Sequence, residues 1–441
     1  MAGRPRTHIP LDVYLNGRRV GQLRREGSGA VDFRYDADWL AWDKALPVSL
    51  SLPLREDRYL GEPVLAVFEN LLPDNTEIRN RLAARTQAAG SDAFSLLGTI
   101  GRDCVGALQF VPKKADPGTP AHVAGTRLAD ADIAAILGNL GPAPLGVTTD
   151  EAFRISLAGA QEKTALLWWH DQWHLPHGAT ATTHILKPAI GKLASGMDLS
   201  DSVDNEYLCL RLASAIGLPC ARAEIATFDG IRTLVVERFD RLWTSDGRLL
   251  RLPQEDGCQA LGVMPSRKYE SDGGPGIAAL LALLEASDQP AEDRRLFLKA
   301  QLFFWLLGAT DGHAKNFSIH LLRGGRFRLA PLYDILSAQP LVDASRITQR
   351  QFRMSMAVGK NRHYVINEIE PRHFEQTAHA AGIGKSVVDE VQDELVTDLP
   401  RAFDALAATL PDDFPGQLFD QIADGVHRRL RRLGTRSEER G

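Results

Sequence analysis

Residues 310–337, TDGHAKNFSIHLLRGGRFRLAPLYDILS, constrain this chain more than any other stretch. They follow an apolar run at 302–309 (LFFWLLGA) that reads as a buried helix. Asp311 and Asn316 then stand five residues apart in a short polar loop. Alternating segments at 317–320 and 327–329, around a glycine turn at Gly324 and Gly325, predict a hairpin with Asp334 beyond its far end. Phosphoryl transfer from a metal–nucleotide uses this set: one Asp takes the proton of the attacking hydroxyl, an Asn amide oxygen holds Mg²⁺, and a second Asp links metal to phosphates. Magnesium prefers hard oxygen ligands and keeps some waters, so two or three protein oxygens suffice. The spacing matches the kinase catalytic loop, with Gly-Ala-Thr-Asp in place of H-R-D and Tyr-Asp-Ile in place of D-F-G.

With 441 residues, the chain is long enough for two or three units with sizeable cores. A net charge of −5 argues against bulk polyanion binding by the chain alone. Cys104, Cys209, Cys220 and Cys258 form no C-x-x-C pair and read as buried residues of a reducing compartment. The N-terminus has no apolar leader and no run approaches a membrane span, so the expectation is a cytoplasmic chain with no membrane partner.

The first segment, to residue 112, opens on a hairpin around Asn16-Gly17. Strands are expected at 31–35, 48–52 and 107–111, and helices at 64–72 and 75–84. No catalytic constellation falls there. Residues 113–150 have a linker composition with one short helix near 130–140.

The chain changes character at Phe153. Residues 153–168 predict two strands joined by a small-residue loop, which lets backbone N–H groups approach phosphates. The run Gly159-Ala-Gln-Glu-Lys-Thr164 lacks the spacing of a Walker A loop. His184-Ile-Leu-Lys-Pro188 reads as a strand with an inward lysine, and 204–218 as an amphipathic helix. Glu206 on the first turn of that helix is a candidate partner for Lys187, or simply serves the helix dipole. A hairpin at 223–236 leads into Glu237-Arg-Phe-Asp240, where a hinge between kinase lobes would fall. Helices are expected at 277–286, 292–309, 385–396, 401–410 and 417–433. Loop, strand lysine, helix, hinge and catalytic loop thus arrive in kinase order. The expected fold is α+β: a two-lobed, protein-kinase-like fold with an extra N-terminal α/β subdomain (1–112) and a linker (113–150). Its N-lobe core would span 151–240, and a mostly helical C-lobe 241–441.

The runs FRISLAGAQEKTALL, THILKP, DNEYLCL, VERFDR, RLPQEDGCQALG, KYESDGGPGIA, GATDGHAKNFSIH and YDILSA resemble the HipA family. Its members are the serine/threonine kinase toxins of HipBA-type toxin–antitoxin modules. The resemblance implies a catalytic Asp311, Mg²⁺ ligands Asn316 and Asp334, and a phosphate-contacting Lys187. It implies ATP contacts from Leu157, Ala158, Gly159, Ala160, Gln161, Glu162 and Lys163, and from His313 and Lys315. Glu237, Arg238 and Phe239 match the hinge that binds adenine, and Ser156 matches the serine whose autophosphorylation ejects the loop and switches the enzyme off. The implied cofactors are ATP and Mg²⁺. The implied partners are a HipB-like helix-turn-helix antitoxin, operator DNA chiefly through that antitoxin, and an aminoacyl-tRNA synthetase substrate, typically the glutamyl enzyme. Blocked charging would halt translation and promote growth arrest and persistence.

Alternatives from other classes are a catalytically weak corepressor of the antitoxin, an NTPase using Gly159 to Thr164, and a small-molecule phosphotransferase. Basic clusters at Arg346, Arg350, Arg353, Lys360 and Arg362, and at Arg428, Arg429, Arg431, Arg432 and Arg436, read as solvated faces ahead of DNA contacts. His313, with no second His or Cys at ligand spacing, reads as a loop-shaping residue and not a metal ligand.

Overall fold

The computed structural model describes residues 8–119, 122–147, 155–159, 161–193 and 196–438. Ala160 and the side chain of Arg436 lie outside the described residues. The chain divides into two compact units: Met1–Pro188 with Ala226–Ser266 and Ile319–Phe327, and Ala189–Ile225 with Arg267–Ser318 and Arg328–Gly441.

The first unit begins with an antiparallel sheet in the order Tyr59–Leu60, Val31–Tyr35, Arg18–Arg25, Leu11–Leu15 and Leu108–Pro112. Asn16 and Gly17 both have positive φ, 45° and 82°, as the tight turn between its first two strands needs. Alternation buries Val13, Leu23, Phe33 and Phe110, and Val20 is buried at a register irregularity between the first two strands. Phe68, from the helix Glu62–Glu69, stacks edge-on against Phe33 at 5.6 Å and Phe110 at 5.4 Å. The helix Ala93–Ile100, not foreseen from the sequence, is capped by Asp92, whose carboxylate accepts the Ser95 N–H.

Residues 48–52 are not the expected strand. Their backbone groups are taken by side chains in place of a ladder. Val48 N–H donates to the Tyr35 hydroxyl, Leu50 N–H to Glu255 Oε1 at 2.8 Å, and Leu52 carbonyl accepts from Tyr35. Glu255 is almost fully buried, and burial pushes its carboxyl up to about 8. An acid raised in the folded state contributes stability in full below the ordinary carboxylate range and loses it as pH rises through the folded value. The melting temperature of the wild type should therefore fall between about pH 5 and about pH 9, and Glu255→Gln should flatten that fall in a thermal-shift series.

The second sheet of this unit is antiparallel and runs through Ile231–Glu237, His184–Pro188, Thr164–Trp169, Gln172–Pro176 and Gly125–Arg127. The last strand comes from the stretch expected to be linker; Gly125, Thr126 and Arg127 pair with Pro176, Leu175 and His174. One face carries Leu166, Leu186 and Val235, which pack with Ile133 and Leu137 of the helix Asp130–Gly138. Lys187, next to Leu186, faces the other way and is buried.

The second unit is mainly helical. Its central helix, Pro290–Leu307, starts with Pro at its first turn and is capped at its C-terminal end by Gly308 in the left-handed conformation, φ 73°. The long helix Lys385–Ala407 replaces the two helices expected at 385–396 and 401–410, with Pro400 inside it. Pro400 deprives the Val396 carbonyl of a donor. Yet Val388, Val391, Leu395, Leu399, Ala402, Phe403 and Leu406 form one buried stripe across it, and packing prevails.

On the tail helix Gly416–Glu438, Arg428 and Arg431 are exposed, as on the expected solvated face, and Arg429 is the exception. Arg429 is buried, its Nε donates to the Leu306 carbonyl at 2.7 Å, and its Nη1 to Gln339. It thereby caps the end of the central helix. Arg428 and Arg432 pair with Asp343 and Glu370. Among the described residues, no helix is long and apolar enough to cross a membrane. All four cysteines are free, and burial pushes the Cys104 and Cys220 thiols up to about 12.

Candidate active site

In the first unit, residues 155–158 belong to no strand, contrary to the expected two-strand hairpin, and residues 153 and 154 lie outside the described residues. Their polar groups go elsewhere: Ser156 N–H donates to Asp103 carbonyl (2.9 Å) and its hydroxyl to Leu71 carbonyl (2.8 Å). Ser156 is fully buried. Asp74 N–H donates to Gly159 carbonyl at 3.1 Å, so residues 71–74 hold the loop at two points. Gly159 has φ 105°, and a Cβ there would fall 2.5 Å from Lys163 Nζ. The small-residue loop therefore curls over its own lysine, and the positive φ favours glycine there. Leu157 and Lys163 are buried. Gln161 donates to Pro188 carbonyl (3.2 Å) and Glu162 pairs with Arg81 (3.1 Å). Ala158 is half-buried.

Lys187 sits opposite Leu234 in the sheet, and Glu237 opposite His184. Arg238 leaves the sheet as its N–H donates to Thr183 carbonyl at 2.9 Å. Its guanidinium is buried against Asp240 (Nη2 to Oδ2, 2.8 Å) and Asp103 (3.4 Å). The Phe239 ring meets His320 edge-on at 5.6 Å.

In the second unit, residues 310–313 run off the capped helix, and Ala314–Asn316 makes one tight 3₁₀ turn. Asn316 N–H donates to His313 carbonyl (2.9 Å), and the Tyr333 hydroxyl donates to Lys315 carbonyl (2.7 Å). Lys315, His313 and Asn316 are buried. Asn316 Nδ2 donates to Asp334 Oδ2 at 3.3 Å, while Asn316 Oδ1 is buried with no hydrogen-bond partner. Asp334 has φ 59°, a left-handed conformation that Asp tolerates better than most residues. The segment after it is fixed by Asn205, whose amide exchanges two 2.8 Å bonds with the Ser337 backbone. Asn205 lies on the helix Ser202–Ala215, next to the buried Glu206.

Asp311 has a side chain 62% exposed, and its Oδ1 accepts from the Tyr269 hydroxyl at 2.7 Å. His313 Nε2 lies 3.9 Å from the same oxygen, and its ring meets Tyr269 edge-on at 4.9 Å. Tyr269 is not among the site residues expected from the sequence, although it stands in the run KYESDGGPGIA. Among the described residues no group of three or more His, Cys, Asp or Glu is placed to hold a metal.

The HipA-like C-terminal domain family matches residues 155–403, and the HipA N-terminal domain family matches residues 11–111. The Sinorhizobium fredii protein Y4mE, which carries a kinase name, is 37% identical over 382 residues, 86% of this chain and 87% of its own. The chain belongs to the HipA family. The serine/threonine-protein kinase toxin HipA of Shewanella oneidensis is 25% identical over 91% of this chain and 90% of its own. That organism's HipA, solved with HipB and operator DNA, superposes with a TM-score of 0.79 at 24% identity, covering 96% of this chain and 98% of the other. The fold is therefore the α+β, kinase-like fold of HipA.

Proposed function

We propose that this HipA family member transfers the γ-phosphate of ATP to a serine hydroxyl of a protein. The observation that carries the reading is the Asn316 amide. Asn316 lies five residues beyond an exposed Asp311, and its oxygen is buried without a partner while its nitrogen is committed to Asp334. An unspent amide oxygen beside a carboxylate suits Mg²⁺, and Asn316 and Asp334 would hold it. When bound, Mg²⁺ supplies positive charge against the phosphate oxygens. Asp311 takes the hydroxyl proton as the serine oxygen bonds to phosphorus and the bond to the ADP oxygen breaks. Lys187, with the loop from Leu157 to Lys163 and with His313 and Lys315, contacts the nucleotide; Glu237, Arg238 and Phe239 take the adenine. The division expected from the sequence (1–112, 113–150, 151–240, 241–441) assigns the chemistry to the last two segments.

The same reading assigns the partners. A HipB-like helix-turn-helix antitoxin neutralises the chain and joins it on operator DNA, supported by the Shewanella relative having been solved with both. An aminoacyl-tRNA synthetase, the glutamyl enzyme first, is the substrate whose modification arrests growth. Ser156 is the self-modification site: its hydroxyl is sealed under the Leu71 carbonyl, so a phosphate there cannot be housed in the present loop position.

The test is intact mass and phosphopeptide mapping of phosphatase-treated protein given Mg²⁺ and ATP. One phosphate on Ser156, absent when the metal is chelated, is the expected result. Nucleotide binding without phosphate would move the acceptor to another molecule, tested next with glutamyl-tRNA synthetase. Absence of binding would overturn the reading in favour of the corepressor.

A further inference from the structure

We propose that Tyr269 is a positioning residue for Asp311, held in register with it by the strand Arg353–Val358. The inference rests on Asp311 acting as proton acceptor. An aspartate this exposed would sample several rotamers, and a reacting group misplaced by an ångström loses rate steeply. The Tyr269 hydroxyl fixes one carboxylate oxygen at 2.7 Å and so orients the other.

The tyrosine is itself fixed. Its ring lies edge-on to the buried His313, and Lys268 Nζ sits 5.3 Å from the ring centre. Its backbone carbonyl accepts the N–H groups of Asp272 (3.1 Å) and Gly274 (3.0 Å), closing a tight loop. A Cβ on Gly274 would fall 1.9 Å from Arg267 carbonyl, so only glycine closes it. Both partners then hang from one strand. Ser355 Oγ donates to the carbonyl of Thr310, the residue before Asp311, at 2.7 Å. Ala357 N–H donates to Glu270, the residue after Tyr269, at 2.6 Å, and Arg362 pairs with the other oxygen of Glu270 at 3.2 Å. Anchors two residues apart on one strand set the distance between base and tyrosine without help from the flexible ends of either loop.

The test measures self-phosphorylation from Mg-ATP as a rate at saturating nucleotide, together with the ATP concentration giving half that rate and the melting temperature. Tyr269→Phe keeps the ring against His313 and should lower the saturating rate about tenfold, with the other two readouts unchanged. Glu270→Ala should lower the rate by a similar factor, and Glu270→Gln, which keeps an acceptor for Ala357 N–H, should recover most of it. A wild-type rate in Tyr269→Phe overturns the proposal. So does a faster one, which would make the hydroxyl a plug in the acceptor's place. A rate that falls in step with ATP affinity and melting temperature overturns it too, leaving a purely structural residue. Asp311→Asn run alongside separates the two claims. If it is inactive while Tyr269→Phe is fully active, positioning alone fails; if it is fully active, the proton-acceptor reading fails first.

Discussion

Asp311→Asn should lower phosphoryl transfer about a thousandfold while leaving ATP affinity within about threefold. The substitution is nearly isosteric, and the asparagine oxygen can still accept the Tyr269 hydroxyl that now meets Asp311 Oδ1 at 2.7 Å. The backbone bond from His313 N–H to Asp311 carbonyl is likewise untouched. What disappears is the charge and the capacity to take a proton. Single-turnover incorporation of phosphate from Mg-ATP, with nucleotide affinity measured separately, reads the two effects apart. Retention of more than about a tenth of the rate would exceed what loss of a proton acceptor allows. The rival in which residues from Gly159 to Thr164 work as an NTPase loop would then be favoured, since it predicts activity independent of Asp311.

The contrast between what was legible in the sequence and what was not follows the reach of the interactions. The Asn16-Gly17 turn, the strand His184–Pro188 and the helices Asp130–Gly138 and Pro290–Leu307 rest on local signals: turn chemistry, alternation, apolar runs and caps. The loop carrying Asp311 and Asn316 was legible for the same reason, because five residues of sequence fix their spacing. Residues 48–52 look like a strand until Glu255, some two hundred residues away, takes the Leu50 N–H. Arg429 looks solvated until its guanidinium meets Leu306 carbonyl at a separation of 123 residues. Pro400 stops a helix by local rules but not against a continuous buried stripe. Tyr269 belongs to this class. Its 42-residue separation from Asp311 carries no periodic or motif signal, and only the fold brings them together.

The largest effect on stability should come from Asp103→Asn, through the buried charge cluster behind the expected hinge. Asp103 Oδ1 accepts from Arg241 at 2.9 Å and Arg251 at 3.0 Å; Oδ2 accepts from Thr182 N–H at 2.9 Å and lies 3.4 Å from Arg238. Asp240 adds a second carboxylate, bonded to Arg238 at 2.8 Å and to Gly106 N–H at 2.7 Å. Three guanidinium groups are thus balanced by two carboxylates, all with side chains at most 5% exposed. Burial alone would raise the Asp103 carboxyl, but Arg241, Arg251 and Arg238 together hold it far below the usual carboxylate range. Asn would leave three buried cations facing one anion, and breaking a buried pair in this way costs about 3–5 kcal/mol. The substitution should be partly rescued by Arg251→Met in the same chain, which removes one of the stranded cations. A carboxyl depressed in the folded state contributes stability above its unfolded pKa, about 4, and loses it as pH falls. The gap between wild type and Asp103→Asn in denaturant unfolding should therefore be widest near neutral pH and narrow below about pH 4. The loss should extend to function, because Asp103 carbonyl also holds Ser156 N–H and Arg238 belongs to the expected adenine-binding segment. ATP affinity and stability should fall together in Asp103→Asn, in contrast to Asp311→Asn, where only the rate falls. A stability loss under about 1 kcal/mol would mean that the cluster is no better than an exposed ion pair, and that something else fixes this part of the unit.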